Sequence, residues 1–364
     1  MDYDVIVVGG SFAGLAAAQA LRGYRVLVLD RYPIGTHQSS ACATPLPTAR
    51  AVGAEEAILE IHDVLVLHAG GHKTRFELEN PYVTFDYWQF CRAMAAHTDA
   101  EIRVARATGY SGNTVTTDQG DFSAPYVIDA TGWAAALSGG FRARQQSGKV
   151  AYGLDTELPF RPRLCPGLHF YFDKRYVSWG YAWAFPCGET TRLGVGSFQG
   201  GKELRQGLAR LADDFGQSVG PVHGGALSLG FNEPVVGDLF VVGDAAGQCL
   251  PLTGEGIRTA IFHGLHCGRA IRGALQGVFV AAEAHTLYRD LVLSHRRTYR
   301  QLWGIQRGVA TIPYSWLAMA ARLAARLELG DRLMSSYLRN TGWFLGHRWI
   351  DKGAGYSMSP AQAT

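Results

Sequence analysis

Six residues near the N-terminus, Gly9-Gly10-Ser11-Phe12-Ala13-Gly14, have the spacing of a turn that cradles a phosphate. Gly9 permits a tight turn, a small third residue lets pyrophosphate approach the backbone, and Gly14 lets a helix pack close to a strand. The third position is Ser11 where the usual fingerprint has glycine, and its hydroxyl could itself bond phosphate. Phe12 and Ala13 open a helix whose first N–H groups and dipole favour an anion. Asp30 lies 21 residues after Gly9. A carboxylate there accepts the hydroxyls of an adenosine ribose, and Arg31 beside it is grouped with the same site. These features point to a dinucleotide. The plainer alternative is a glycine-rich turn in an α/β domain that binds nothing.

A second constellation is Val242-Gly243-Asp244-Ala245-Ala246-Gly247, followed by Pro251-Leu252-Thr253-Gly254-Glu255-Gly256-Ile257. Asp244 suits a ligand contact, although capping alone also favours Asp. With these residues the chain resembles the flavoproteins that share the fold of p-hydroxybenzoate hydroxylase, and among them the geranylgeranyl reductase family. The resemblance implies FAD as cofactor. It implies that Gly243 and Asp244 meet the ribityl chain and pyrophosphate, and that Pro251, Gly254, Gly256 and Ile257 lie near the flavin pyrimidine ring. A reduced flavin is anionic near N1, and a helix N-terminus stabilises such charge. Tyr126–Trp133, YVIDATGW, is similar to a superfamily segment and would bring Ala130 and Gly132 to the nucleotide.

Tyr181-Ala182-Trp183-Ala184-Phe185-Pro186, then Gly194-Val195-Gly196, resembles the (Y/F)-x-W-x-F-P and G-x-G pattern of the same family. There it lines a cavity for an isoprenoid chain, which makes Tyr181, Trp183, Phe185, Gly194 and Gly196 candidate substrate contacts. Alternation puts the three aromatics on one face of a strand. The alternative is a strand whose aromatics pack under a helix. The family often has a Cys-Gly pair near the flavin; here Cys42 is followed by Ala43. Its thiol could donate a proton or shape the pocket, or Cys42 is a small apolar loop residue. Glu255 and Tyr181 are the other candidate donors. Two further positions depart from the pattern. Asp86-Tyr87 replaces an Asp-Arg pair, leaving Arg92 one turn on as the candidate cofactor contact, and Gln248-Cys249-Leu250-Pro251 replaces a hydrophobic run ending in Asn-Pro. The resemblance runs from Asp4 to about Arg272.

The elements that must hold these residues follow from periodicity. Val5–Val8 and Arg25–Leu29 read as buried parallel strands around a helix over Phe12–Leu21. Tyr32–Ala49 reads as a long loop, and Ala51–Ile61 and Tyr87–His97 as helices. Val64–Leu67 and Lys73–Leu78 read as strands around the Gly70-Gly71 turn, and a meander over 102–128 returns to the first sheet. Antiparallel strands are expected from Val150 to Phe198, a helix over Glu203–Phe215, a strand at Leu239–Val242, a helix over Gly254–Ala274, and helices from Ala281 to about Leu345. The expected architecture is α/β with an α+β insert. A Rossmann-like FAD-binding domain (1–62, 98–149 and 233–280) receives an antiparallel-sheet substrate domain (63–97 and 150–232), and a helical C-terminal tail (281–364) follows.

Composition narrows the function. The chain has 364 residues and a net charge of +3 without Lys/Arg runs, which argues against nucleic acid. Its six scattered cysteines contain no CxxC pair, which suggests reduced thiols and a cytoplasmic protein without a metal site. Phe215–Asn232 lacks charge but is broken by five glycines and Pro221, and does not read as a membrane span. The expected function is FAD-dependent reduction of C=C bonds in a prenyl lipid or diphosphate. NAD(P)H or another donor would reduce the flavin, since no second nucleotide fingerprint is present. The competing readings are a flavin monooxygenase or halogenase, and a prenyl-binding escort protein without turnover. A lipid substrate makes peripheral membrane contact by the tail reasonable; the plainer reading packs Trp316–Leu327 on the core with Arg322 and Arg326 in water. Oligomeric state is left open.

Overall fold

The computed structural model describes residues 2–140, 145–159, 162, 164–326, 336, 337 and 341. The chain opens with β1 (Val5–Val8), α1 (Phe12–Ala20) and β2 (Val26–Asp30). A loop leads to β3 (Ala43–Pro45) and α2 (Leu46–Ala51), then to the long hairpin of β4 (Ile58–Ala69) and β5 (His72–Phe85). Next come α3 (Tyr87–Ala96), β6 (Glu101–Val104), the meander of β7 (Ala107–Ser111), β8 (Thr114–Thr117) and β9 (Gly120–Ser123), and β10 (Tyr126–Asp129). The strands β11 (Val150–Leu158), β12 (Leu168–Phe172), β13 (Gly180–Cys187) and β14 (Thr190–Ser197) precede α4 (Leu204–Asp214) and β15 (Val222–Ser228). After β16 (Val235–Val236) and β17 (Leu239–Val241) the chain is helical: α5 (Ile257–Leu275), α6 (Ala281–Ser294), α7 (Arg296–Thr311) and α8 (Tyr314–Arg326).

Two large sheets result. The six-stranded sheet has the order β16-β17-β10-β1-β2-β6 and is parallel except for β16 at its edge. Val5 and Val7 pack with α1, α3 and α5, while Ile6 and Val8 pack with Val115 of the meander. Burial on both faces explains why β1 is a continuous β-branched run rather than an alternating one. The eight-stranded sheet has the order β15-β11-β14-β13-β12-β4-β5-β3 and also takes in Ala43–Pro45 and Ile58–His62.

The structure corrects several expected elements. Ala51–Ile61 is not a helix: α2 ends at Ala51, one 3-10 turn spans Glu55–Ala57, and β4 starts at Ile58. Register shifts between Ile58 and Glu60 and between His62 and Val64 break the two-residue period, and Leu59 and Ile61 face solvent. Bulges of this kind put apolar residues on both faces and imitate a helical pattern. The insert is not wholly antiparallel, because β12 runs parallel to β4. The expected loop ends early, in β3 and in α2, which has proline at its start as helices favour. The helix expected from Gly254 begins at Ile257. The tail is helical to Arg326, and the expectation beyond it falls outside the described residues.

The contact that aligns the helices on the six-stranded sheet is between α1 and α5. A Cβ on Gly264 would lie 2.2 Å from the Ala13 carbonyl oxygen, and one on Gly268 2.5 Å from that of Ala17. The obstacle is backbone, which cannot swing aside. Gly264→Val is expected to cost about 2–3 kcal/mol of folding stability, the upper range for overpacking. Urea unfolding of the two proteins measures it; an unchanged midpoint would show that the helices part at no cost.

Candidate active site

The phosphate turn joins the ends of β1 and β10. Gly9 has φ of +113°, and a Cβ there would stand 2.1 Å from the Ala130 carbonyl oxygen. A Cβ on Gly14 would stand 1.9 Å from the Gly9 carbonyl oxygen. Both glycines are therefore required by packing, as the fingerprint logic holds. Gly10 donates its N–H to Asp30 Oδ2 at 2.7 Å, and Tyr32 donates to Oδ1 at 2.9 Å. Asp30 thus braces the turn, and a ribose would share its oxygens. The Ser11 hydroxyl, expected on a phosphate, is hydrogen-bonded to the Tyr87 hydroxyl at 3.0 Å. The Phe12 ring is core, edge-on to Phe85, Tyr87 and Phe90. Arg31 and Arg92 are exposed, each stacked on a ring, Tyr32 at 5.0 Å and Trp88 at 4.6 Å.

The second constellation abuts the first. A Cβ on Gly243 would meet the Ala13 methyl at 3.0 Å, and one on Gly256 would lie 3.8 Å from Asp244 Oδ1. The N-termini of α1 and α5 therefore converge, with Asp244 beside the second. Gly132 has φ of +72°, and a Cβ on it would meet no atom of the described residues within 4 Å. Two helix N-termini, a side-chain-free strand end and a bracing acid form a donor set that fits a flavin dinucleotide. Buried Gln248, which the sequence reading noted only as a departure, supports it. Its Oε1 accepts from Gly243 N at 2.7 Å, and its Nε2 donates to the Tyr288 hydroxyl at 3.1 Å. Nothing but its burial marks it, and burial is not visible in a sequence.

Glu255 is held rather than free. Arg258 donates to it twice, through Nε and Nη2, both at 2.7 Å, and the Tyr82 hydroxyl donates at 3.1 Å. Arg258 is buried; burial opposes its charge, but Glu255 together with Tyr82 and Tyr337 outweighs that and raises its pKa. Cys42 is fully buried with φ of +54°, and its Sγ donates to the Ser40 carbonyl at 3.1 Å. Burial pushes its thiol far up, so thiolate chemistry is disfavoured.

The three aromatics share a face, as alternation requires. Tyr181 lies 5.9 Å from Trp183, and Trp183 6.0 Å from Phe185, between ring centres. They pack with Ala41, Ala43, Tyr82 and Phe170. Helix α4 covers the opposite face, against Ala182 and Ala184, so the aromatics do not pack beneath it. Gly194 makes room for the indole: its Cβ would fall 2.1 Å from Trp183 Cζ2, and that of Gly196 3.4 Å from Cζ3. The G-x-G pair is thus a shelf under Trp183. The Tyr181 hydroxyl donates to the Thr253 carbonyl, and a Cβ on Gly225 would lie 3.5 Å from Trp133 Nε1. The aromatic face therefore fronts both the Pro251–Ile257 turn and the strand end after β10.

No family model matches the chain. A digeranylgeranylglycerophospholipid reductase of Methanopyrus kandleri is 30% identical over 325 residues, spanning 80% of this chain and 86% of its own. The chain belongs to this geranylgeranyl reductase family. Among solved structures, a geranylgeranyl bacteriochlorophyll reductase-like protein from Thermoplasma acidophilum superposes with a TM-score of 0.79 at 20% identity, covering 89% of this chain and 91% of its own. A flavin-dependent brominase superposes at 0.69 with 14% identity, covering 97% and 96%. These two likenesses concern the fold, which this member of the reductase family shares with both.

Glu255→Ala would remove the carboxylate that faces the buried Arg258 charge, although Arg258 also donates to Thr341. The expected loss is about 3–5 kcal/mol, with much of it regained when Arg258→Met is added. Thermal unfolding of the single and double variants checks this; equal losses in both would mean the pair does not compensate itself.

Proposed function

We propose that this chain is an FAD-dependent reductase that saturates C=C bonds of a geranylgeranyl-type prenyl lipid or diphosphate. The observation that carries the reading is the aromatic face of Tyr181, Trp183 and Phe185, joined through Tyr181 to the Pro251–Ile257 turn at the head of α5. Its relative in Methanopyrus kandleri is named for reduction of a digeranylgeranyl lipid. We assign the cofactor to the six-stranded sheet and the prenyl chain to the eight-stranded one. FAD, when bound and reduced, supplies hydride. NAD(P)H or another donor would restore it.

The chain's own residues do the rest. Gly9, Ser11, Phe12, Ala13 and Gly14 present backbone N–H groups to the pyrophosphate, Asp30 orients the ribose, and Ala130 and Gly132 admit the nucleotide. Arg31 and Arg92 screen its charge from the surface. Gly243, Asp244, Pro251, Gly254, Gly256 and Ile257 place a helix N-terminus where negative charge develops. The aromatic wall binds a flexible alkene by apolar contact and excludes water, which protects the reduced state from side reactions. Gly194 and Gly196 act by seating Trp183.

A membrane lipid as substrate suggests contact with a lipid surface. No helix among the described residues is long and apolar enough to cross a membrane. On α8, however, Trp316, Met319 and Leu323 are 65%, 58% and 56% exposed. Spacing of three and four residues gathers them on one side of a helix that also packs against β4 and β5. An outward apolar stripe of this kind favours peripheral binding over insertion.

Anaerobic incubation of dithionite-reduced protein with prenyl diphosphates, quinones and ether lipids is expected to yield products heavier by two hydrogens per double bond, with the yellow flavin spectrum restored. A colourless protein that binds prenyl chains without changing them would support the escort reading instead. Oxygen-coupled turnover stimulated by an aromatic compound would support a monooxygenase.

A further inference from the structure

No motif contains Asp155, an acid that is 2% exposed in β11. Strand pairing sets it opposite His223 on one side and Gly194 on the other, and Gly194 is opposite Trp183. Residues opposed across a ladder project to the same face. His223, Asp155, Gly194 and Trp183 are therefore one cross-strand row on the aromatic face. The row beside it is Gly225, Gly153, Gly196 and Tyr181, which the Trp133 indole and the Thr253 carbonyl cover. The row on its other side is Glu157, Arg192 and Phe185. Glycines thus leave a side-chain-free floor under the aromatic wall, and Asp155 borders it.

Two buried atoms in this row, Trp183 Nε1 and Asp155 Oδ1, have no hydrogen-bond partner among the described residues. Buried polar atoms are seldom left so, and functional groups are a recurrent exception. Arg192 does not pair with Asp155; its Nη2 goes to Glu157 at 3.1 Å and its Nη1 to the Ala41 carbonyl at 3.2 Å. Burial pushes the Asp155 carboxyl up to about 7, against the pull of Arg192 and with help from Glu157. The charged or titratable neighbours are Arg192 from β14, Glu157 from β11, Cys42 from the loop before β3, and His223 from β15. The other candidate donors are committed. Glu255 holds Arg258, the Tyr181 hydroxyl is given to Thr253, and the Cys42 thiol to Ser40.

We propose that Asp155 is the general acid that completes alkene reduction, giving its carboxyl proton to the carbon that does not receive hydride. The inference rests on the reductase reading above. As the alkene π bond breaks, hydride from reduced flavin forms one C–H bond, and its two electrons come from the flavin. The Asp155 O–H bond breaks and its proton forms the second C–H bond. Asp155 is left as a carboxylate beside Arg192, and regains a proton from water at the β15 edge of the sheet. An alkene without an activating group accepts hydride poorly, so a carboxyl that keeps its proton near neutral pH suits the task.

The test is anaerobic single-turnover reoxidation of the dithionite-reduced holoprotein by a geranylgeranyl ether lipid. The wild-type rate is expected to fall about tenfold per pH unit above about 7. Asp155→Asn is expected to lose about a hundredfold or more of that rate while flavin and lipid still bind, and Asp155→Glu to regain part of it. A second readout needs no cofactor. The folded carboxyl holds its proton to a higher pH than the unfolded one, so the wild type loses stability as pH rises from about 4 to about 7 and then levels off. The Tm advantage of Asp155→Asn over the wild type should therefore widen across that window. Either wild-type reoxidation by Asp155→Asn or a constant Tm difference overturns the role of Asp155 and leaves the reductase reading standing. A wild type that reduces no prenyl alkene overturns both.

Discussion

Helices α1 and α5 approach so closely that no side chain fits between their backbones at Gly264 and Gly268. That contact aligns the two helix N-termini, and the site follows from their alignment. Each end exposes N–H groups that its own helix cannot satisfy. One end faces the Gly9–Gly14 turn, and the other lies beside Asp244 and the Pro251–Ile257 turn. Gly243, packed on Ala13, holds the spacing between them. An anionic, two-ended ligand is the natural complement of such a pair.

The second sheet meets this arrangement with a surface of unusual make-up. Its face toward α5 alternates large rings with glycines along neighbouring strands, so the rings lie down rather than stand up. Trp183 lies across Gly194 and approaches Gly196 and Gly153. The opposite face is built of alanines, leucines and valines under α4. One sheet thus has a face covered by α4 and a face lined by aromatic rings and glycines. The tie between Tyr181 and Thr253 joins that face to the turn that precedes α5.

Buried charge is concentrated where the two sheets meet. Arg258 is neutralised by Glu255 and Arg192 by Glu157. Replacing such pairs with apolar residues is often neutral for stability, so their presence speaks for positioning more than for strength. Arg192 reaches the Ala41 carbonyl and so ties the loop bearing Cys42 to the aromatic sheet. Asp155 shares in neither ion pair, so burial raises its pKa with only partial opposition from Arg192.

Local rules of the sequence determined the βαβ unit, the acid at the end of β2, the common face of Tyr181, Trp183 and Phe185, and the family resemblance that implies a flavin. All depend on residue spacing within one element or on short motifs. Only the tertiary structure decided what those residues touch. It gave Ser11 to Tyr87, Glu255 to Arg258 and the G-x-G pair to Trp183, because these partners are distant in sequence and meet only when the sheets pack. Two bulges hid β4 behind a helical pattern, since a period of two cannot be read across a register shift. Gln248 and Asp155 carried no sequence signal, because their importance lies in burial and in the strands opposite them. A single chain of letters states neither.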